Sequence, residues 1–289
     1  MFDRVAIVGL GLIGGSMGLA LRKMGVARWI AGYDAELVVC EQALRMRVID
    51  EASDRLSDIV SGADLVILAT PVGAMHRILQ SIAPILSPGT IVTDVASTKA
   101  QVVNWAEQFL PANVSFVGGH PMAGKEVSGV EAADANLFKN CIYCLTPTSQ
   151  TNPTAVGKMS ALIEMVGARQ HFLSPREHDD QAASISHLPF LASVALMTTV
   201  AEDATLNDAA SLAASGFRDM TRLAGGSPVM YRDICLTNGT AIIELLETYI
   251  SDLSLLRDRI AKHDENMDEV FSTAQRLRQR WQEDHNMTE

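Results

Sequence analysis

Aromatic residues, cysteines and positive charge are all scarce in this chain. Phe, Trp and Tyr make up 5% of 289 residues, so Ala, Leu, Val, Ile and Met must fill the interior. Hydrophobic residues reach 48%, enough for a sizeable core, and the 13 methionines are expected as core filler rather than as a ligand surface. With 23 Lys and Arg against 34 Asp and Glu, the formal net charge is −11. That balance argues against nucleic acid as a partner and against an anionic membrane surface. An anionic small substrate would need a local cationic pocket. No uninterrupted apolar run approaches the ~18 residues of a membrane span. The apolar N-terminus lacks a basic leader and a cleavage site. A cytoplasmic location without membrane contact is therefore expected.

The four cysteines are Cys40, Cys141, Cys144 and Cys235. Cys141-Ile142-Tyr143-Cys144 has C-x-x-C spacing, but it falls in a run, Asn140 to Leu145, that reads as a strand. Positions three apart on a strand face opposite ways. No second pair completes a zinc site, and buried reduced thiols are expected. Internal repeats and low-complexity segments are missing as well.

What is present begins at the first strand. Val5-Ala6-Ile7-Val8 runs into Gly9-Leu10-Gly11-Leu12-Ile13-Gly14, and an apolar stretch at helical spacing, Met17 to Met24, follows. Asp34 sits at the end of a second apolar run, Trp29 to Tyr33. This is a dinucleotide-binding fingerprint in its structural context. Gly9 allows the tight turn, Gly11 the approach of a pyrophosphate, and Gly14 the close packing of helix on strand. Free N–H groups at the helix start, around Leu12 and Ile13, suit the phosphates. Asp34 is placed for the ribose hydroxyls and would repel a 2′-phosphate, which favours NAD over NADP.

Further apolar runs at Leu65–Ala69, Ile91–Asp94, Phe116–Gly118 and Cys141–Thr146 alternate with helical patterns. Such alternation predicts an α/β domain of Rossmann type, a parallel sheet covered on both faces. Thr70 and Pro71 would close a strand at the ligand crevice. A helix over about 154–166 and a short strand over about 168–173 complete this domain. From Ser174-Pro175 onward strand signals vanish. The expected division is 1–173, binding NAD, and 174–289, an all-α domain. Thr240 to Ile260 and Met267 to Trp281 are expected as helices.

Four clusters carry the remaining chemistry: Asp94-Val95-Ala96-Ser97-Thr98-Lys99, Gly118-Gly119-His120-Pro121-Met122-Ala123-Gly124, Ser186-His187-Leu188-Pro189 and Gly216-Phe217-Arg218-Asp219-Met220-Thr221-Arg222. Together with the nucleotide fingerprint, the second and fourth resemble the prephenate/arogenate dehydrogenase family, and the likeness runs from the first strand to about residue 262. The resemblance implies a Rossmann domain, a helical dimerising domain and a homodimer. It implies oxidative decarboxylation of a cyclohexadienol dicarboxylate, with hydride passing to NAD and no metal. His120, in a loop after its strand, would accept the proton of the ring hydroxyl. Ser97 would partner that hydroxyl or His120, and would lie near the cofactor. Arg222 would clamp a carboxylate, most simply the one on the ring. Arg218 would either share that role or pair with an acid such as Asp219. Glu126 would lie near the substrate side chain. His187, near a helix start, is either a substrate contact or an interior histidine. Relatives often have Trp where this chain has Tyr231, and a second histidine where it has Phe190. His76, His171, His178, His263 and His285 have no motif and are expected to be structural or solvated. Two rivals were weighed. A β-hydroxy acid dehydrogenase would typically use a lysine in the helical domain, where Lys262 is poorly placed. A redox sensor would bind NAD without turnover. The resemblance also raises feedback inhibition through an added domain, for which no segment is expected in these residues.

Overall fold

Short apolar runs and helices alternate into one eight-stranded sheet in the computed structural model, which describes residues 2–201 and 212–284. The strands are β1 (Phe2–Val8), β2 (Ala27–Tyr33), β3 (Glu51–Ala52), β4 (Leu65–Leu68), β5 (Ile91–Asp94), β6 (Ser115–Pro121), β7 (Ile142–Thr146) and β8 (Arg169–Phe172). Their order is β3-β2-β1-β4-β5-β6-β7-β8. Strand order reverses between β1 and β4, so the crevice at their carboxyl ends is the place for a ligand. On β1, Val5 and Ile7 pack with Met17 and Leu21 on one face, whereas Ala6 and Val8 pack with Ile59, Met75 and Leu79 on the other. A strand buried on both sides must be apolar throughout, which is why Val5–Val8 was legible as one.

Three details differ from expectation. All neighbouring strands are parallel except β6 and β7, which pair antiparallel. A parallel return needs a long crossover, usually a helix. Between β6 and β7 the chain forms only a three-residue helical turn, Val130–Ala132. Next, β6 continues to Pro121, so His120 is a strand residue opposite Cys144 and not a loop residue. Lastly, β3 has two residues and no apolar run to announce it.

The helices between strands are α1 (Leu12–Met24), α2 (Leu37–Arg45), α3 (Leu56–Val60), α4 (Val72–Ile82), α5 (Ala100–Phe109) and α6 (Pro153–Met165). After β8 the described residues are helical: α7 (Pro175–Ala182), α8 (Leu188–Ala201), α9 (Ser215–Thr221), α10 (Pro228–Thr237), α11 (Gly239–Ala261) and α12 (Met267–Asp284). Asn152, Ser174 and Ser227 each cap a helix whose next residue is proline, the favoured first position. Ser174 and Glu177 form a capping box. A π-helical turn, Ala183–His187, joins α7 to α8 without a break. His187 therefore lies inside a helical run rather than near a start.

Compactness divides the chain into Met1–Ile242 and Ile243–Glu289. The change of texture at 174 marks where strands stop, not where packing breaks. Three contacts fasten the helices after it to the sheet domain. Asp179 accepts the N–H groups of Lys99 and Ala100 at 2.6 and 2.8 Å, at the start of α5. Asp233 accepts the N–H of Gly73 at 2.9 Å, at the start of α4. The hydroxyls of Thr98 and Thr237 meet at 2.8 Å. Carboxylates at two helix N-termini satisfy donors that no helix can satisfy itself. In the second unit, Arg259 pairs with Asp264 at 3.2 Å.

The run Pro175–Ala201 has the length and mean hydropathy (1.4) of a membrane span, with 22% of its most apolar window buried. Polar and charged side chains interrupt it, so it does not stand out as an uninterrupted apolar run. Its polar side chains His178, Asp179, His187 and Ser193 are buried against protein, while Ile185 and Met197 are exposed. Met220 and Met230 are exposed too, so the methionines are not all core filler. Nor are all four thiols buried: Cys40 and Cys144 are, Cys141 and Cys235 only partly. Cys141 precedes the strand rather than lying in it.

One ion pair is wholly enclosed. The Lys99 ammonium meets the Asp94 carboxylate, both fully buried, and also donates to the Gly119 carbonyl at 2.8 Å. Removing one partner of such a pair strands the other charge. Lys99→Met is expected to cost about 3–5 kcal/mol, read as a lowered midpoint of urea unfolding.

Candidate active site

Glycine geometry builds the crevice. Gly9 has φ +96°, and a Cβ there would lie 2.6 Å from the Ala69 carbonyl. A Cβ on Gly14 would overlap the Gly9 carbonyl oxygen, but one on Gly11 would meet nothing, so Gly11 borders open space. The start of α1, at Leu12 and Ile13, has no side-chain cap, which leaves its N–H groups for a ligand. Asp34 takes the Leu10 N–H at 2.8 Å on one oxygen and the Glu36 N–H at 3.1 Å on the other. It thus braces the glycine loop, a role its position alone did not reveal. At the end of β4 the Thr70 hydroxyl is buried without a partner, and Pro71 leads into α4. A cradle that side chains would fill, uncapped N–H groups and an orphaned hydroxyl fit a dinucleotide.

His120 stands on the neighbouring part of the sheet. Gly118 and Gly119 bring it there: a Cβ on Gly118 would overlap the Thr146 hydroxyl, and one on Gly119 would lie 2.7 Å from the Asp94 carbonyl. Asp94 also accepts the Gly119 N–H at 3.0 Å. The His120 Nδ1 lies 2.8 Å from His178 Nε2, and His178 Nδ1 lies 2.8 Å from Asp179 Oδ1. Burial first, then His178, Lys99 and His187, push the His120 pKa well below the ordinary histidine range. The surroundings therefore favour the neutral ring.

His178 was expected to be structural or solvated. It is buried and hydrogen-bonded to His120 and Asp179, contacts that sequence reasoning did not find. The His-Asp step was the available signal, but it recurs at His263-Asp264, where the histidine is exposed. His76 packs edge-on against Trp105 and Phe109, and His171 is exposed, both as expected. His285 lies outside the described residues.

The other candidates divide. Ser97 is half-buried in the turn between β5 and α5, but the Nδ1 partner of His120 is His178 and not Ser97. His187 is buried, its Nδ1 3.4 Å from the Asn238 amide nitrogen. Burial pushes it down to about 4 against the opposing pull of Asp179. Arg222 and Glu126, expected at opposite ends of a substrate, are joined by a 2.9 Å ion pair with both side chains exposed. Arg218 is exposed on α9 and pairs with no acid among the described residues. Tyr231 on α10 stacks face to face on Phe190 of α8, with centroids 3.2 Å apart and planes 5° apart.

A Rossmann cradle beside a neutral imidazole defines an NAD-dependent oxidoreductase. Comparison with known proteins narrows this class. The family model described as prephenate dehydrogenase, nucleotide-binding domain, matches residues 17–172, and the prephenate dehydrogenase dimerization domain matches 174–276. Prephenate dehydrogenase of Bacillus subtilis is 39% identical, the match covering 96% of this chain and 76% of the relative. The crystal structure of prephenate dehydrogenase from A. aeolicus with hydroxyphenyl propionate and NAD+ matches with a TM-score of 0.90 and 33% identity, covering 97% of this chain and 98% of that one. Synechocystis arogenate dehydrogenase matches with a TM-score of 0.82 and 34% identity, covering 96% and 99%. The chain belongs to the prephenate dehydrogenase family.

Gly14→Ala is expected to weaken NAD binding at least about tenfold and to cost about 1–3 kcal/mol of stability, the usual penalty of overpacking. Calorimetric titration with NAD and urea unfolding measure the two effects.

Proposed function

We propose that this enzyme oxidises and decarboxylates prephenate, arogenate or both, giving 4-hydroxyphenylpyruvate or tyrosine for aromatic amino acid biosynthesis. The position of a neutral His120 near the carboxyl end of β6, on the same sheet as the crevice, carries this reading. The relatives act on either substrate by name, and cyclohexadienyl activity that includes prephenate fits both. The two substrates differ by a keto or an amino group on the side chain.

In this reading NAD lies on Gly9, Gly11, Leu12, Ile13 and Gly14, with Asp34, Thr70, Pro71 and Ser97 around it. When bound, it supplies the acceptor for the hydride leaving the hydroxyl-bearing ring carbon. His120 draws the proton from that hydroxyl as the hydride departs. Loss of carbon dioxide aromatises the ring, and the borrowed proton returns to the phenolate oxygen. Ser97 donates to or accepts from the same hydroxyl. Arg222 pairs bidentately with a substrate carboxylate. Its bond to Glu126 is exposed, and such pairs are worth only about 0–1 kcal/mol. A substrate carboxylate therefore displaces Glu126 at small cost. Arg218, His187 and Tyr231 complete the surroundings of the substrate.

The same reading assigns residues 1–173 to cofactor binding and 174–289 to substrate binding and to a homodimer, located in the cytoplasm. The exposed apolar side chains Ile185 and Met197, and separately Ile243, Ile250 and Leu253 on α11, support burial against a second copy. Sedimentation should show a dimer.

NADH formation assayed with prephenate and arogenate in parallel should show turnover with at least one. His120→Asn should lower kcat by about 10²–10⁴-fold. Inactivity of the wild type on both substrates, or full activity of the variant, refutes the reading. Arg222→Ala should chiefly raise KM. Because the His120 pKa is lowered, the acid limb of kcat/KM should fall below pH ~6.5, the ordinary histidine value. An acid limb above that value would mean that a different group is titrating.

A further inference from the structure

The hydrogen-bond chain behind His120 fixes where its proton resides. Asp179 offers only acceptors, and its Oδ1 receives His178 Nδ1 as well as the Lys99 N–H. His178 Nδ1 is therefore the protonated nitrogen. A neutral His178 then has a lone pair on Nε2, and the atom 2.8 Å away, His120 Nδ1, must supply the hydrogen. That leaves the lone pair of a neutral His120 on Nε2. An unrestrained imidazole side chain in water favours the opposite tautomer. We propose that Asp179 and His178 are positioning residues that hold His120 in the Nδ1–H tautomer and leave Nε2 as the base for the ring hydroxyl.

The arrangement also answers a charge problem. The groups facing His120 are His178 from α7, His187 from the π-helical turn and Lys99 from the turn before α5. Lys99 is already matched by Asp94. A proton arriving on His120 Nε2 makes an imidazolium among these groups, and the remaining carboxylate in line with it is Asp179, reached through His178. The Nδ1–H bond to His178 strengthens as the charge forms. When the proton returns to the phenolate oxygen, the neutral chain is restored with its tautomers unchanged. No net proton is gained or lost at the relay.

Asp179 also caps α5, and its backbone carbonyl accepts the Asn238 amide at 2.8 Å. Its removal would confuse positioning with folding, so the test falls on His178. His178→Phe deletes the acceptor. His178→Gln keeps a side-chain oxygen that can accept the His120 Nδ1–H.

The inference rests on His120 as the base, and the experiment separates the two. Nitrogen NMR of 15N-histidine-labelled enzyme, with NAD present and absent, reads the tautomer without turnover, and His120→Asn assigns the signals. The wild type should show His120 with a protonated Nδ1 and a bare Nε2. In His178→Phe the proton should move to Nε2. The kcat should fall about 10–100-fold, the range for outer partners that orient an imidazole. KM should change by less than about threefold, since ground-state binding is untouched, and the acid limb of kcat should shift. His178→Gln should restore the tautomer and part of kcat. A wild-type His120 protonated on Nε2 overturns the proposal, whether or not the Phe variant folds. So do unchanged kcat and pH profile in His178→Phe when His120→Asn is inactive. Activity surviving in His120→Asn instead removes the catalytic reading, and the wild-type tautomer still decides the positioning.

Discussion

The Asp179 carboxylate holds the active part of this molecule together. One side chain closes the N-terminus of α5, fastens α7 to the sheet domain and binds the imidazole that touches His120. Each bond constrains the others. The start of α5 follows directly from the turn bearing Ser97 and Lys99. The start of α7 is fixed by its own capping box, with Pro175 in place. The carboxylate joins two preset helix ends, so the histidine between them has little freedom. Rotation of His178 away from His120 would give up a buried hydrogen bond on both of its nitrogens.

Among the described residues of this acidic protein, the fully buried lysine is not left loose in the interior. Lys99 is enclosed, but Asp94 and the Gly119 carbonyl occupy its donors. Burial pushes its pKa down while Asp94 pulls it up. That ion pair grips the peptide of Gly119, the residue before His120, from both its N–H and its carbonyl. The pair therefore holds β6 in place next to His120 as well as satisfying two charges. Arg222, by contrast, is exposed and, among the described residues, is paired with the exposed Glu126. The rigid cation orders the site, and the loosely held one is free to exchange partners.

Much of this was legible in the sequence, for identifiable reasons. A strand buried on both faces needs consecutive apolar residues, so β1, β4 and β5 stood out. A helix approaching a strand closely needs glycine at Gly14, so the fingerprint could be read atom by atom. Helix starts at 153, 175 and 228 were marked by Ser or Asn followed by Pro. What escaped were features set by distant partners. The extension of β6 through His120 depends on β7, more than twenty residues later. β3 exists because β2 offers it an edge, not because Glu51-Ala52 favours a strand. His178 meets His120 across 58 residues of chain, and no local spacing encodes that contact.

Two positions singled out in the sequence turn out to be one feature. The structure stacks the rings of Phe190 and Tyr231 on each other. A histidine at 190 would bring polar nitrogens into that contact, whereas phenylalanine matches the apolar face of the tyrosine. Gly226 belongs to the same arrangement. A Cβ there would lie 2.6 Å from the Tyr231 ring and 3.3 Å from Phe190. The Gly-Gly-Ser-Pro turn thus provides the space that the stack needs, and its serine and proline start the helix that delivers Tyr231. That helix then presents Asp233 to the start of α4 and Thr237 to Thr98, which lies between Ser97 and Lys99. The aromatic contact therefore joins α8, which follows His187, to α10, and α10 is in turn bonded to the start of α4 and to Thr98. A larger or smaller ring at 190 would shift α10 against α8 and strain both of those hydrogen bonds.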